Sequence, residues 1–173
     1  QANDFNGTVN VAGGNDVTLN DANSLTLGNV TASGTLDATA AQNLAVNGTV
    51  SVASLDLTAT AGDITQGAGS TLTVTAGPTQ LQAGDDITLD QANDFNGTVN
   101  VAGGNDVTIA DNTGGLTLGN IDASGNLNAR STGGDITQAN GSTIAVDGQT
   151  TVDAGAYDIA LNGANNDFGG VFN

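Results

Sequence analysis

The sequence predicts an all-β chain that folds as a parallel β-helix, and three observations lead to that prediction. Residues 91–108 repeat residues 1–18 letter for letter, as expected of a chain built from stacked copies of one unit. Apolar residues alternate in short pairs, which is typical of strands with one buried face. These pairs recur at steps of nineteen or twenty residues, which we interpret as the length of one coil.

The alternating apolar pairs define the predicted strands. Each pair is bounded by Gly, Asn or Asp, and no stretch of the chain carries a helical period. The chain therefore predicts many short strands and no helix. The pairs are Val9/Val11, Val17/Leu19, Leu25/Leu27, Leu44/Val46, Val50/Val52, Leu55/Leu57, Leu72/Val74, Ile87/Leu89, Val99/Val101, Val107/Ile109, Leu116/Leu118, Ile144/Val146 and Ile159/Leu161.

The spacing of the pairs predicts which strands lie above one another. Val17, Leu36, Leu55 and Val74 are nineteen residues apart and are predicted to form one column, whereas Val101 and Ile121 are separated by twenty. At about 19–20 residues per coil the chain makes eight or nine coils. With strands ~4.8 Å apart, the rod is on the order of 40 Å long. Between residues 60 and 95 the spacing is irregular, and strands cannot be assigned to faces there.

The two halves of the chain, 1–90 and 91–173, form an internal repeat within one predicted β-helical segment, 1–173. Residues 25–29 match 116–120 at an offset of 91, but residues 62–66 match 134–138 at an offset of 72. The second half therefore lacks nineteen residues. A solenoid tolerates the loss of a whole coil, whereas a β-sandwich, the structural alternative, usually does not.

Glycine and proline mark the predicted corners of the coil. Asn-Gly pairs are expected to supply positive-φ corners. Pro78, after Gly77, is expected at a corner where its missing N–H costs little. The Asn-Gly pairs lie at 6–7, 47–48, 96–97, 140–141 and 162–163.

Composition excludes several classes of function. All 18 acidic residues are Asp and Arg130 is the single base, which gives a formal net charge of −17. Nucleic-acid backbones and anionic membrane surfaces are repelled by such a chain, whereas divalent cations are attracted. No apolar run is long enough to span a membrane. The chain starts and stops inside a recurring motif, so we expect it to be a segment of a longer protein.

Three recurring phrases carry a resemblance to the repeat regions of large secreted bacterial adhesins of the filamentous-haemagglutinin type. They are Leu-Thr-Leu-Gly-Asn (25–29, 116–120), Gly-Asp-Ile-Thr-Gln (62–66, 134–138) and Asn-Asp-Phe-x-Gly (3–7, 93–97, 166–170). This resemblance implies a right-handed parallel β-helix, export through an outer-membrane partner, and a stalk at the cell surface or in the biofilm matrix. It also implies a Gram-negative source.

The chain is not expected to be an enzyme. It has no His, Cys, Lys or Glu, which removes most general bases and nucleophiles. Asp85, Asp86 and Arg130 are the catalytic candidates. Adjacent Asp on an extended segment point to opposite faces, which disfavours a facing pair of carboxyls. No cofactor is expected, apart from the calcium considered next.

Asp16 and Asp106 are weak candidates for calcium binding. Each ends a Gly-Gly-Asn-Asp phrase that partly resembles the calcium-binding nonapeptide of β-rolls. The third glycine and the tandem repeat are missing. The alternative interpretation is a structural one, in which Gly-Gly turns the corner and Asp caps the turn.

The Asn-Asp-Phe-x-Gly phrase, here called the NDF motif, is expected to be structural. Its Phe is expected to fill the interior or an end of a corner rather than to bind sugar from an exposed face. Its predicted residues are Asn3, Asp4, Phe5 and Gly7; Asn93, Asp94, Phe95 and Gly97; and Asp167, Phe168 and Gly170.

These features favour a stiff spacer segment of an extracellular adhesin or biofilm-matrix protein, secreted or at the cell surface. The alternatives are a fibre subunit that stacks end to end and a carbohydrate-binding or polysaccharide-cleaving β-helix. The expected partners are other copies of the chain. Through the parent protein, extracellular polysaccharide and the host or cell surface are also expected partners. Neither nucleic acid nor membrane insertion is expected.

Overall fold

The computed structural model describes residues 3–173, and over that range the chain is all-β with no helix. The strands are short because inward-facing apolar residues come only in pairs between polar corners. Their bounds are β1 Thr8–Val11, β2 Val17–Asp21, β3 Leu25–Thr31, β4 Thr35–Ala40, β5 Leu44–Val46, β6 Thr49–Val52, β7 Ser54–Ala59, β8 Ile64–Gln66, β9 Thr71–Val74, β10 Thr79–Ala83, β11 Ile87–Leu89, β12 Asp94–Phe95, β13 Thr98–Gly103, β14 Val107–Asp111, β15 Leu116–Ala123, β16 Leu127–Ser131, β17 Ile136–Gln138, β18 Ile144–Val146, β19 Thr150–Asp153, β20 Ile159–Ala160 and β21 Asp167–Phe168.

The strands stack as a parallel β-solenoid of about eight turns, which confirms the predicted fold class. Sheet 1 has eleven strands, in the order β12-β9-β6-β3-β5-β8-β11-β14-β16-β19 with β1 beside β3. Sheet 2 has ten strands, running β2-β4-β7-β10-β13-β15-β17-β20, with β18 and β21 continuing from β15. Neighbours are non-consecutive in sequence because the strands pair with strands of adjacent coils rather than with the next strand of their own coil.

The core is a narrow column of inward-facing side chains. In sheet 1, Leu25 pairs with Leu44, Leu44 with Ile64 and Ile64 with Ile87, and all four are buried. Burying a side chain of this size contributes about 1.5–3 kcal/mol. Every strand therefore depends on the coils above and below it to keep water from its apolar face.

The predicted column through Val17, Leu36, Leu55 and Val74 is correct for its first three members and wrong for the last. Val17 pairs with Leu36 and Leu36 with Leu55, but Leu55 pairs with Thr79. Val74 lies in sheet 1 between Val52 and Phe95. The reason is a longer coil in the region of irregular spacing, where turns on both sides of β9 add residues.

Equivalent residues of the two halves of the repeat lie on opposite faces of the solenoid. The Leu-Thr-Leu-Gly-Asn phrase lies in β3 of sheet 1 in the first half and in β15 of sheet 2 in the second. The offset between these copies therefore spans a half-integer number of coils. The shorter offset does the same, since β8 lies in sheet 1 and β17 in sheet 2. The two offsets differ by nineteen residues, the same step that separates Leu36 from its partner Leu55.

The prediction that Asn-Gly pairs supply positive-φ corners is wrong for four of the five pairs. Among the described residues positive φ occurs at Gly69, Gly114, Gly115, Gly141 and Gly155, and Gly141 alone belongs to an Asn-Gly pair. Most corners instead turn with ordinary backbone angles. Pro78 lies between β9 and β10, at a corner as predicted.

No helix that is long and apolar enough to cross a membrane occurs among residues 3–173.

Candidate functional site

A line of side-chain oxygens runs up one corner of the solenoid, just before the strands of sheet 1. Each oxygen accepts the backbone N–H of the equivalent residue one coil on. This corner ladder consists of Asn43, Asp63, Asp86, Asp106 and Asn126. The N···O distances are 3.0 Å to the N–H of Asp63, 3.1 Å to Asp86, 2.9 Å to Asp106, 2.8 Å to Asn126 and 2.8 Å to Gln149.

The calcium candidates Asp16 and Asp106 lie on opposite faces and do not form a common site. Asp16 precedes β2 of sheet 2, and its Oδ1 accepts the Thr35 N–H at 2.9 Å. Asp106 precedes β14 of sheet 1, and its Oδ1 accepts both the N–H and the side-chain Nδ2 of Asn126. In both copies the aspartate of the Gly-Gly-Asn-Asp phrase thus joins one coil to the next.

Asp63, Asp85 and Asp86 form an acidic cluster in which one carboxylate oxygen from each lies within 4.8 Å of the others. The expectation that Asp85 and Asp86 point apart is wrong, because a bend rather than an extended segment carries them. Carboxylates at this separation are able to coordinate a divalent cation. Two of the three also belong to the corner ladder, so their Oδ1 atoms are engaged by backbone N–H groups.

Arg130 pairs with an aspartate in the adjacent coil, as predicted. Its Nε lies 3.7 Å from Oδ2 of Asp153, which is directly opposite in β19. Both side chains are more than half exposed. An exposed pair of this kind contributes little to stability, typically about 0.2–1 kcal/mol.

The NDF motif and the Gly-Asp-Ile-Thr-Gln phrase meet in space. The side-chain amides of Gln66 and Asn93 donate to each other, at 2.7 and 3.0 Å. Gln138 and Asn166 form the same reciprocal pair at 2.8 Å in both directions. We call these two contacts the amide locks, because each ties a coil to the next through side chains alone.

In the first two copies of the NDF motif, the backbone N–H of the Phe donates a hydrogen bond to a buried aspartate sixteen residues further along the chain. Asp21 Oδ2 accepts the Phe5 N–H, and Asp111 Oδ2 accepts the Phe95 N–H, both at 2.9 Å. Burial raises the pKa of Asp111 to about 6. The hydrogen bonds from the N–H groups of Phe95 and Thr113 lower the pKa of Asp111, whereas the negative charge of Asp94 raises it.

The other polar residues of the motif lie on the surface. Asn3 bridges to Asp21 through the backbone, and Asp4 Oδ1 accepts Nδ2 of Asn23 at 3.1 Å. Asp94 Oδ1 accepts Nδ2 of Asn96 at 2.9 Å. Asp167 is exposed in β21.

The three motif phenylalanines pack against the core. Phe95 is 2% exposed, whereas Phe5 and Phe168 are partly buried at the two ends of the solenoid. Phe168 also makes an edge-to-face contact with Phe172, with ring centroids 4.9 Å apart.

The motif glycine packs directly on the preceding coil. A Cβ at Gly97 would overlap the carbonyl oxygen of Gly77, and a Cβ at Gly170 would overlap that of Gly148. At Gly7, in the first described coil, nothing lies within 4 Å of the same position. The glycine is therefore required by the stacking of coils rather than by backbone angles.

A polar groove of about 470 Å³ lies on the first coil beside Phe5. Its lining combines amides, hydroxyls and a carboxylate, among them Asp4, Asn23 and Gln42. The second copy of the motif differs, because its Phe95 lies in β12, which pairs with β9 of the preceding coil. Phe95 is therefore buried.

Sequence reasoning named Asp86 as a catalytic candidate and Asp106 as a calcium candidate or turn cap, but it did not identify the ladder between coils. It also gave no role to the amide-lock glutamines or to the buried Asp21 and Asp111. One signal was present for the glutamines. Gln66 and Gln138 follow Ile-Thr at positions where the alternation requires an inward-facing residue.

A family model described as repeats of unknown function (DUF5649) matches residues 14–54, 41–102 and 104–173. No curated protein and no solved structure matches the chain.

Proposed function

Because the chain belongs to this family of repeats of unknown function (DUF5649), we propose a role from its own architecture. The chain acts as a stiff spacer segment of an extracellular bacterial adhesin or biofilm-matrix protein, and it works without catalysis. The observation that carries the proposal is the continuous parallel stack, in which the inner strands of both sheets, apart from β12, pair with strands of the coils before and after them. Force along the rod is shared by many backbone hydrogen bonds.

The surface chemistry supports a hydrated extracellular rod. The net charge of −17 disfavours contact with nucleic acid and with anionic membranes. The resemblance to adhesins of the filamentous-haemagglutinin type favours secretion to the surface of a Gram-negative bacterium. Binding to polysaccharide or host surfaces would then reside elsewhere in the parent protein.

The experiment changes the length of the rod by one coil. Deletion of residues 36–54 joins Thr35 to Leu55, which already lies in register with Leu36. We expect a folded protein whose long dimension, measured by small-angle X-ray scattering, falls by about 5 Å. As a matched control, deletion of residues 36–45 removes about half a coil and places strands on the wrong face. A variant lacking 36–54 that unfolds, or keeps its length, would contradict the spacer proposal.

A second candidate, end-to-end assembly into a fibre, is favoured by the exposed apolar residues of the last coil. Tyr157, Ile159, Val171 and Phe172 are 46–64% exposed, and they are the large apolar side chains exposed among residues 3–173. Light scattering and electron microscopy of the chain test this candidate. Filaments that shorten in Phe172→Asp support it, whereas monomeric rods at all concentrations rule it out.

A further inference from the structure

The connection between β17 and β18 is a tight turn formed by residues 139–142. The Ser142 N–H donates to the Ala139 carbonyl at 3.2 Å, and Ser142 Oγ donates to the same oxygen at 2.7 Å. Gly141 has φ +80°, and Asn140 and Gly141 are both exposed. Among the described residues, the Gly141 N–H donates no backbone hydrogen bond.

An equivalent turn joins β8 to β9 without an asparagine. Ser70 donates its N–H and Oγ to the Gly67 carbonyl at 3.1 and 2.6 Å, and Gly69 has φ +79°. Ala68 stands where the other turn has Asn140. The asparagine side chain is therefore dispensable for the conformation of the turn.

We propose that Asn140-Gly141 is a site of spontaneous deamidation. The backbone nitrogen of Gly141 attacks the side-chain carbonyl carbon of Asn140. A new C–N bond closes a succinimide ring, the bond to the amide nitrogen breaks, and ammonia leaves. Water then opens the ring to aspartate or isoaspartate. The turn gains one negative charge, and isoaspartate also lengthens its backbone by one carbon.

The fold protects three of the other Asn-Gly pairs. The Gly163 N–H donates to Gln138 Oε1 at 2.8 Å, so this nitrogen is engaged by an amide-lock residue. Gly48 and Gly97 pack against the backbone of Gly28 and Gly77 in the preceding coil. We expect this packing to restrict the backbone movement that ring closure requires.

The pairs Asn6-Gly7 and Asn96-Gly97 separate the effect of stacking from the effect of sequence. Residues 1–18 and 91–108 are identical, but nothing lies within 4 Å of a Cβ at Gly7. We therefore expect Asn6 to react faster than Asn96.

The experiment incubates the folded chain at mildly alkaline pH and follows the conversion of each amide to acid by peptic peptide mapping and mass spectrometry. We expect the Asn140 peptide to convert several-fold faster than the peptides containing Asn47, Asn96 and Asn162. In denaturing urea the five rates should converge, because the difference comes from the fold. Equal rates in the folded chain, or an Asn140 that stays intact, would overturn the proposal.

Asn140→Ala is the matched control. Because the equivalent turn forms with Ala68, this variant should keep the melting temperature of the parent chain while losing the mass shift in the peptide that contains residue 140. The same mass shift in this peptide of Asn140→Ala would assign the reaction to another residue and overturn the proposal.

Discussion

Gln66 and Asn93 face each other across adjacent coils and exchange two amide hydrogen bonds in the interior of the solenoid. Asn93 is saturated: its Oδ1 also accepts the Leu72 N–H, and the two hydrogens of its Nδ2 are shared among Gln66 Oε1 and the carbonyls of Leu89 and Ala110. One side chain therefore connects the coil before it, its own coil and the coil after it. Buried polar groups of this kind are costly when any partner is removed.

Asn93→Ala should be among the most destabilising single substitutions. It leaves Gln66 Nε2 and the Leu72 N–H without their partner in a buried site, whereas Gln66 Oε1 still accepts the Gln91 N–H. We therefore expect a loss of about 2–4 kcal/mol in the free energy of unfolding. Asn96→Ala is the control, because Asn96 is exposed in the same motif and its side chain bonds to Asp94. Urea denaturation measures both. A loss in Asn93→Ala no larger than in the control would show that the lock adds nothing.

Gly97→Ala and Gly7→Ala test the stacking of coils within one identical phrase. A Cβ at Gly97 meets the carbonyl oxygen of Gly77, so the coils must separate locally, and we expect a loss of about 1–3 kcal/mol. At Gly7 the space is open, and the same substitution should be nearly neutral. Thermal melting of the two variants compares them directly. Equal effects would mean that glycine is needed for the backbone conformation at this position rather than for close packing of adjacent coils.

Asp111 should make stability depend on pH in a defined direction. Its pKa is raised by burial to about 6 in the folded chain, above the usual 3.8, so the native state binds its proton more tightly. The resulting stabilisation is fully present below about pH 4 and is lost as the pH rises through about 6. It amounts to at most about 3 kcal/mol.

The Asp111 prediction is checked by urea denaturation between pH 4 and 7. Asp111→Asn removes the titrating group, so its stability should fall less steeply with pH than that of the parent chain. The control is Asp21→Asn, which disturbs the same pair of backbone hydrogen bonds in the first copy of the repeat. Parallel curves for the parent and Asp111→Asn would refute the assignment.

Asp37 and Asp56 stand in register on neighbouring strands of sheet 2. The pKa of Asp56 is raised, first by burial and then by the charge of Asp37. Like charges directly opposite each other destabilise a sheet, so Asp56→Asn should be stabilising by a few tenths of a kcal/mol. Asp122→Asn, at an exposed site in β15, should change the melting temperature less. A lower melting temperature in Asp56→Asn would contradict the repulsion.

The fold could be predicted from the sequence because the alternation of apolar residues and the regular coil length both indicate stacked short strands. Leu25, Leu44 and Val107 all lie in the core at the predicted positions. Val74 was misplaced because a step of nineteen residues was extended through a coil that contains extra turn residues. Spacing fixes a column only while every coil has the same length.

The polar residues that join the coils could not be predicted in the same way. Asp21 and Asp111 resemble ordinary turn aspartates in the sequence, but each accepts the backbone N–H of a phenylalanine sixteen residues upstream. The Asn-Gly pattern predicts positive φ at Gly7 and Gly97, whereas Gly97 is needed because its coil packs closely on Gly77. Contacts between coils depend on which residues lie in register in the folded chain, and this register cannot be read from a single sequence.

Thr150 offers a stabilising substitution. Its Oγ1 is buried and has no hydrogen-bond partner within residues 3–173, at a position of sheet 1 where the coil below has Leu127. Thr150→Val replaces this hydroxyl with a methyl group of similar size and should raise the free energy of unfolding by about 1 kcal/mol. Thr151→Val, on the outward side of the same strand, is the control for β-propensity and should change stability less. If Thr150→Val melts at or below the temperature of the parent chain, the hydroxyl has a partner in solution, and a buried water would be the first candidate.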